Sequence, residues 1–130
     1  MKTETKTKIK SFKDLDAWKE GHTLVLQVYE LTKKFPRSEA FGLTNQMQRC
    51  AVSITSNIAE GFSRNSNKEK LQFYAIAQGS VTELQSQLSL AKDVGYITEE
   101  QFKQTDGQSV RVHKIINGLI KYIRSLIPNT

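Results

Sequence analysis

The stretch SITSNIAEGFSRNSNKE, residues 53–69, decides how the chain folds. Leading into it, Met47, Ala51, Ile54 and Ile58 recur at steps of four, three and four, the spacing of one α-helical face. The pattern stops at Gly61 and Ser63. Only Arg64 and Asn65 then precede Ser66-Asn67-Lys68-Glu69, in which Ser66 and Glu69 can exchange side-chain to backbone hydrogen bonds and start another helix. Two helices joined by so short a link must double back on each other.

The same reading extends outward. The second helix is expected from an N-cap at Thr44 to about Ser63, its stripe widened by Cys50 and Val52 and extended to Phe62. The third runs to about Val94 on Leu71, Tyr74, Ala77, Val81, Leu84, Leu88 and Ala91, with Gly95 as its C′ residue. The first is expected over about Asp14–Phe35, with Asp14 or Asp16 as the cap. Leu15, Trp18, His22, Val25, Tyr29 and Thr32 make one core-side stripe, and Leu24, Val28, Leu31 and Phe35 a second. Lys33, Lys34 and Pro36 end it. The fourth starts at Thr98-Glu99-Glu100-Gln101, a second capping box. Phe102, Val112 or His113, Ile116, Leu119, Ile120, Ile123 and Ile127 carry it to Pro128, with Asp106-Gly107 weakening its first half. No segment alternates with period two. These spacings predict one all-α domain over residues 12–130, an antiparallel up-down-up-down four-helix bundle.

With 130 residues and 38% hydrophobic content, the chain suits a single modest core. Its net charge of +6 is uneven. Lys2, Lys6, Lys8, Lys10 and Lys13 crowd the start, and residues 1–11 are expected to form a disordered basic tail. Residues 14–32 are acidic on balance and residues 33–70 basic. Such basic segments bind phosphate backbones without sequence preference, or else remain a solvated surface. One cysteine excludes an intrachain disulfide, which suits a reducing cytoplasm. No apolar run spans a bilayer and no signal peptide is visible, so no membrane partner is expected.

No catalytic constellation stands out. Glu-x-x-His, a Gly-rich phosphate loop and a nucleophile elbow are all absent. Two histidines, His22 and His113, make no metal site, and no cofactor is expected. Cys50 lies on an apolar helix face, so a buried inert thiol is expected despite neighbouring Arg49. Within the decisive stretch, Ser53, Asn57, Glu60 and Arg64 follow steps of four, three and four and share one polar face. Glu60 and Arg64 stand in the favourable order for an ion pair, and Gly61 leaves a gap for another backbone. That face reads either as a hydrogen-bonded seam between helices or subunits, or as a ligand or nucleic-acid contact. Ala75, Ala77, Gly79 and Ser80 are expected to let the second and third helices approach closely. Apolar residues beyond one core's needs, among them Phe73 and Ile76, predict burial in an oligomer.

Three segments together, FKDLDAWKEGHTLVLQVYELTKKFP, FGLTNQMQRCAVSITSNIAEGFSR and FYAIAQGSVTELQSQLSLAKDVGYI, resemble the four-helix bundle proteins encoded in intervening sequences of bacterial 23S ribosomal RNA genes. The resemblance covers about residues 12–126. SITSNIAEGFSR is similar to that family's central signature and GSVTELQSQL to its second, which here places Asn57, Glu60, Gly61, Arg64, Gly79, Ser80 and Glu83 at signature positions. Met47-Gln48-Arg49-Cys50 departs from a commonly more basic run, making the second helix less positive. The resemblance implies a homopentameric barrel. It also implies kinship with the accessory proteins of diversity-generating retroelements, similar pentameric bundles that bind nucleic acid and a reverse transcriptase.

The resulting expectation is a non-enzymatic homo-oligomer that binds RNA or DNA, structured RNA foremost, or a nucleic-acid enzyme. Its contacts are expected from the tail and from Lys33, Lys34, Arg37, Arg49, Arg64, Lys68 and Lys70. A scaffold without nucleic-acid binding is the alternative.

Overall fold

A computed structural model describes residues 8–128; the part of the expected tail at residues 1–7 lies outside them. Four helices form: α1 (Asp16–Thr32), α2 (Leu43–Ser63), α3 (Asn67–Asp93) and α4 (Glu99–Ser125). Each packs against the next in the chain and α4 closes the ring against α1, so the helices stand in cyclic order. The short α2–α3 and α3–α4 links enforce antiparallel neighbours, the up-down-up-down bundle expected from the spacing. No strand occurs among the described residues.

The core comes from the periodic stripes. Leu24 and Val28 of α1, Met47, Ala51, Ile54 and Ile58 of α2, Val81, Leu84 and Leu88 of α3, and Val112 and Ile116 of α4 are fully buried. Removing a Leu- or Ile-sized side chain from water stabilises by about 1.5–3 kcal/mol, so this contiguous set outweighs any single cap.

The helix ends depart from expectation in instructive ways. Asp14 does not cap α1. Its carboxylate accepts from the N–H groups of Lys10 (2.8 Å) and Ser11 (3.1 Å), closing a capping box on a 3-10 turn over Phe12–Asp14. Extended backbone at Leu15 then separates that turn from α1, which begins without a side-chain cap. The helix stops at Thr32 rather than Phe35, because Pro36 disfavours helical backbone before it and Phe35 turns inward onto Tyr96, ring centroids 5.2 Å apart. Thr44 is not the N-cap of α2. Gly42 occupies that position, and the Glu39 carboxylate accepts the Leu43 N–H at 3.0 Å from the preceding 3-10 turn, Arg37–Glu39. A Cβ at Gly42 would lie 2.7 Å from that carboxylate oxygen, so the residue leaves room for the cap.

Ser66 accepts the Glu69 N–H as expected, and Thr98 and Gln101 form the full reciprocal box. At the end of α3, Gly95 takes φ 87°, and the N–H groups of Tyr96 and Gly95 bond the carbonyls of Ala91 and Lys92. This is the Schellman arrangement that satisfies a helix's last carbonyls. The helix α4 runs unbroken through Gly107 and ends at Ser125 rather than Pro128.

Some stripe assignments change. Val52, expected to widen the core stripe of α2, is exposed at 38%. His22 is exposed, not core-side, and its ring stacks on Trp18 at 4.7 Å and 11°. Tyr29 is likewise exposed. The first stripe of α1 is therefore split: Thr32 is buried and Leu15, Trp18 and Val25 pack partly buried against the core, whereas His22 and Tyr29 lie beyond the cover that α2 and α4 give the Leu24/Val28 side.

Candidate functional site

The signature residues gather on the α2–α3 face. Ser53 and Ser80 hydroxyls share a hydrogen bond of 3.0 Å across the two helices. The Cys50 thiol donates to the Ser80 carbonyl at 3.1 Å. Asn57 turns back on its own helix, donating to the Ser53 carbonyl (2.8 Å) and hydroxyl (3.1 Å). Asn57, Ser53 and Ser80 thus form one polar chain crossing the helix contact. Beside it lies a hollow of about 370 Å³ lined by Gln46, Arg49, Cys50, Ser53, Ser80 and Glu83. Burial first, and then the Glu83 carboxylate, push the Cys50 thiol up to about 12. A thiolate is the nucleophilic form, so this cysteine is inert near neutral pH.

Glycine roles divide. A Cβ at Gly61 would lie 2.7 Å from Cε1 of buried Tyr74 and 3.1 Å from Cβ of Phe73. Gly61 is therefore the point where α3 closes on α2. Gly79 does not act this way: nothing lies within 4 Å of its Cβ position, so its small size serves no contact inside the bundle. It faces outward, one residue from Ser80.

At the end of α2, Glu60 accepts from the Arg64 guanidinium, which also lies over the Phe73 ring at 4.6 Å. Lys70 reaches back to cap α2, donating to the Phe62 carbonyl at 2.7 Å, and burial lowers its pKa. Two of the three side chains expected to meet nucleic acid at this end, Arg64 and Lys70, are engaged in closing the α2–α3 turn, and Lys68 is exposed.

The seven expected contact residues do not form one surface. Lys33, Lys34 and Arg37 sit at the end of the bundle where α1 stops and α2 starts, whereas Arg64, Lys68 and Lys70 sit at the other. The length of α2 separates them by about 30 Å at 1.5 Å per residue. Arg49 lies in the first third of α2, nearer the Lys33 end, on a ridge between the α2–α3 hollow and a second of about 400 Å³ lined by Tyr29, Asn45, Val52 and Ser56. Lys33 is paired with Glu30 at 3.3 Å.

Folding sorts the charge along the bundle axis. Cutting each helix at its midpoint, the half holding residues 8–24, 53–79 and 112–128 carries ten basic side chains against five acidic ones. The other half, residues 25–52 and 80–111, carries seven of each. All the net charge of the described residues therefore lies in the half where α1 begins and α4 ends. Sequence reasoning missed the α4 contribution, Lys114, Lys121 and Arg124. Their signal was an acid-free second half of α4, and only antiparallel packing brings its end to the same end of the bundle as Lys68 and Lys13.

Among the described residues, no three His, Cys, Asp or Glu side chains come together as a metal site would require. No described helix is long and apolar enough to cross a membrane.

These features define an all-α bundle with a polar helix seam and a basic end. The chain belongs to the 23S rRNA-intervening sequence protein family, whose model matches residues 13–118. The fold is similar to the 1.70 Å crystal structure of a protein of unknown function from the S23 ribosomal protein family of Bacteroides thetaiotaomicron VPI-5482. That similarity has a TM-score of 0.75 at 22% identity, over 81% of this chain and 95% of the other. Comparison with curated proteins finds no match.

Proposed function

We propose that this protein is a non-enzymatic, homo-oligomeric helical bundle of the cytoplasm that binds nucleic acid, structured RNA foremost, through its basic end. One observation carries the reading: the net positive charge is confined to one half of the bundle while the other half is balanced. A field of one sign at one end attracts phosphate backbones, and bound Lys and Arg release counterions.

Oligomerisation is supported by apolar side chains that the bundle leaves in solvent. Ile76 and Leu90 of α3 are 52% and 51% exposed, Val94 just past its end is 52% exposed, and Leu26 on α1 is 57% exposed. Two separate faces suit a head-to-tail contact, which closes into a ring, and a pentamer is the expected size. In such a ring the basic ends share one rim, and weak contacts repeated around it add up to avidity. A reverse transcriptase or another nucleic-acid enzyme is the protein partner this arrangement suits.

The test is binding of RNA to the purified protein across a salt series. A steep fall in affinity with salt is expected, since each phosphate contact adds about −0.9 to the logarithmic slope on a duplex and about −0.7 on a single strand. Salt-independent or absent binding overturns the nucleic-acid reading and leaves the scaffold alternative. Light scattering tests the assembly, and a monomer at micromolar concentration rules out the ring.

A further inference from the structure

We infer that the outer start of α1 is a base-stacking platform for single-stranded nucleic acid, built from the Phe12–Trp18–His22 aromatic ladder and the lysines around it. This rests on the nucleic-acid reading above and adds to it a particular site and the strandedness of the ligand.

Three rings stand in sequence on one shoulder. Phe12 meets Trp18 edge-on, centroids 5.4 Å apart at 63°. Trp18 lies parallel to His22 at 4.7 Å and 11°. The 3-10 turn that carries Phe12 is held by the Ser11–Asp14 capping box, so the first ring is fixed in place before α1 begins. His22, at the far end of the ladder, is exposed. A stacked pair of aromatic rings that ends in solvent presents the same kind of face on which a free base stacks.

Charge surrounds the ladder. Lys8, Lys10, Lys13 and Lys19 are exposed next to Phe12 and Trp18 in the chain, and none of them joins an ion pair among the described residues. The nearby carboxylates are largely occupied. Asp14 accepts the N–H groups of Lys10 and Ser11, and Glu20 is held by Gln108 (2.9 Å) and Arg111 (3.1 Å) of α4; Asp16 remains exposed. Stacking rings flanked by exposed lysines match a strand whose bases are splayed out, not a duplex, whose bases are stacked on one another.

The experiment measures binding of the full chain to an oligouridylate single strand and to a blunt RNA duplex of equal length. The proteins are the wild type, His22→Ala and His22→Phe. Because His22 is exposed, its removal leaves the core intact. His22→Ala is expected to weaken single-strand binding about tenfold, the order of one base–aromatic stack, with the duplex unaffected and His22→Phe restoring affinity. Trp18 is the sole tryptophan, so its fluorescence reports strand binding directly. If binding is salt-dependent but His22→Ala matches the wild type, or weakens duplex and single strand equally, the platform is wrong and the nucleic-acid reading stands. If neither oligonucleotide binds in a salt-dependent way, both readings fall.

Discussion

The Tyr96 hydroxyl donates to Oε2 of Glu39 at 2.8 Å while the other oxygen of that carboxylate accepts the Leu43 N–H at 3.0 Å. One side chain thereby caps α2 and ties the α1–α2 connector to the α3–α4 turn, two links that lie side by side at the balanced end of the bundle. The Leu43 N–H, followed by the Tyr96 hydroxyl, holds the Glu39 carboxyl below the usual carboxylate range. A depressed folded-state pKa means stability that is present above the unfolded value of about 4.3 and lost as pH falls through the folded one. Thermal melts of wild type and Glu39→Gln should therefore differ at neutral pH, with the variant less stable, and converge as the buffer is made more acidic. Tyr96→Phe should lower the melting temperature as well, and should do so less in the Glu39→Gln background, because the two share one hydrogen bond.

Gly61 and Gly79 make a paired test of packing. At Gly61 an added methyl meets buried Tyr74, which has no room to move. Overpacking of about 1–3 kcal/mol outweighs the ~1 kcal/mol helix-propensity gain of alanine, so Gly61→Ala should destabilise. At Gly79 nothing opposes the methyl, and Gly79→Ala should stabilise the isolated bundle by up to about 1 kcal/mol. Chemical denaturation checks both. If Gly79→Ala also weakens assembly measured by light scattering, the outward glycine belongs to a contact between subunits.

Cys50 should ignore thiol reagents in the folded protein. With its pKa pushed up to about 12 and its thiol donated to Ser80, almost no thiolate exists at mildly alkaline pH. Titration with a chromogenic disulfide should give a slow reaction that becomes rapid and stoichiometric in denaturant. Fast native labelling would show that the α2–α3 seam opens.

Charge reversal should be felt at one end of the bundle only. Lys68→Glu, Lys121→Glu and Arg124→Glu all fall on exposed positions of the basic half. Each should weaken RNA binding and shave about one unit from the logarithmic salt slope if it contacts a phosphate. Lys34→Glu and Arg37→Glu, exposed at the balanced end, should change little. Equal losses at both ends would mean that charge position along the axis does not matter.

The architecture was legible in the chain because helix periodicity and caps are local. The stripes of α2, α3 and α4, the Ser66 cap, the box at Thr98, and Gly95 at a helix end all depend on residues within a few positions of one another. Where the path of a turn or the cover of a neighbouring helix decided the outcome, local reading failed. Glu39 displaced Thr44 as the cap because a preceding turn delivers it, and His22 left the core because no helix covers that shoulder. The Glu60–Arg64 pair was visible at i,i+4, whereas the Ser53–Ser80 bond was not, since nothing in either helix names its partner.

By itself, then, the sequence determined the number of helices, their direction and the family to which they belong, because these follow from spacing, short links and quoted motifs. Only the tertiary structure decided which charges share an end. Antiparallel packing separates Lys33, Lys34 and Arg37 from Arg64, Lys68 and Lys70 by the length of a helix and joins the latter to Lys121 and Arg124, more than fifty residues away in the chain. Electrostatic attraction depends on distance through space, and that distance exists only once the helices have packed.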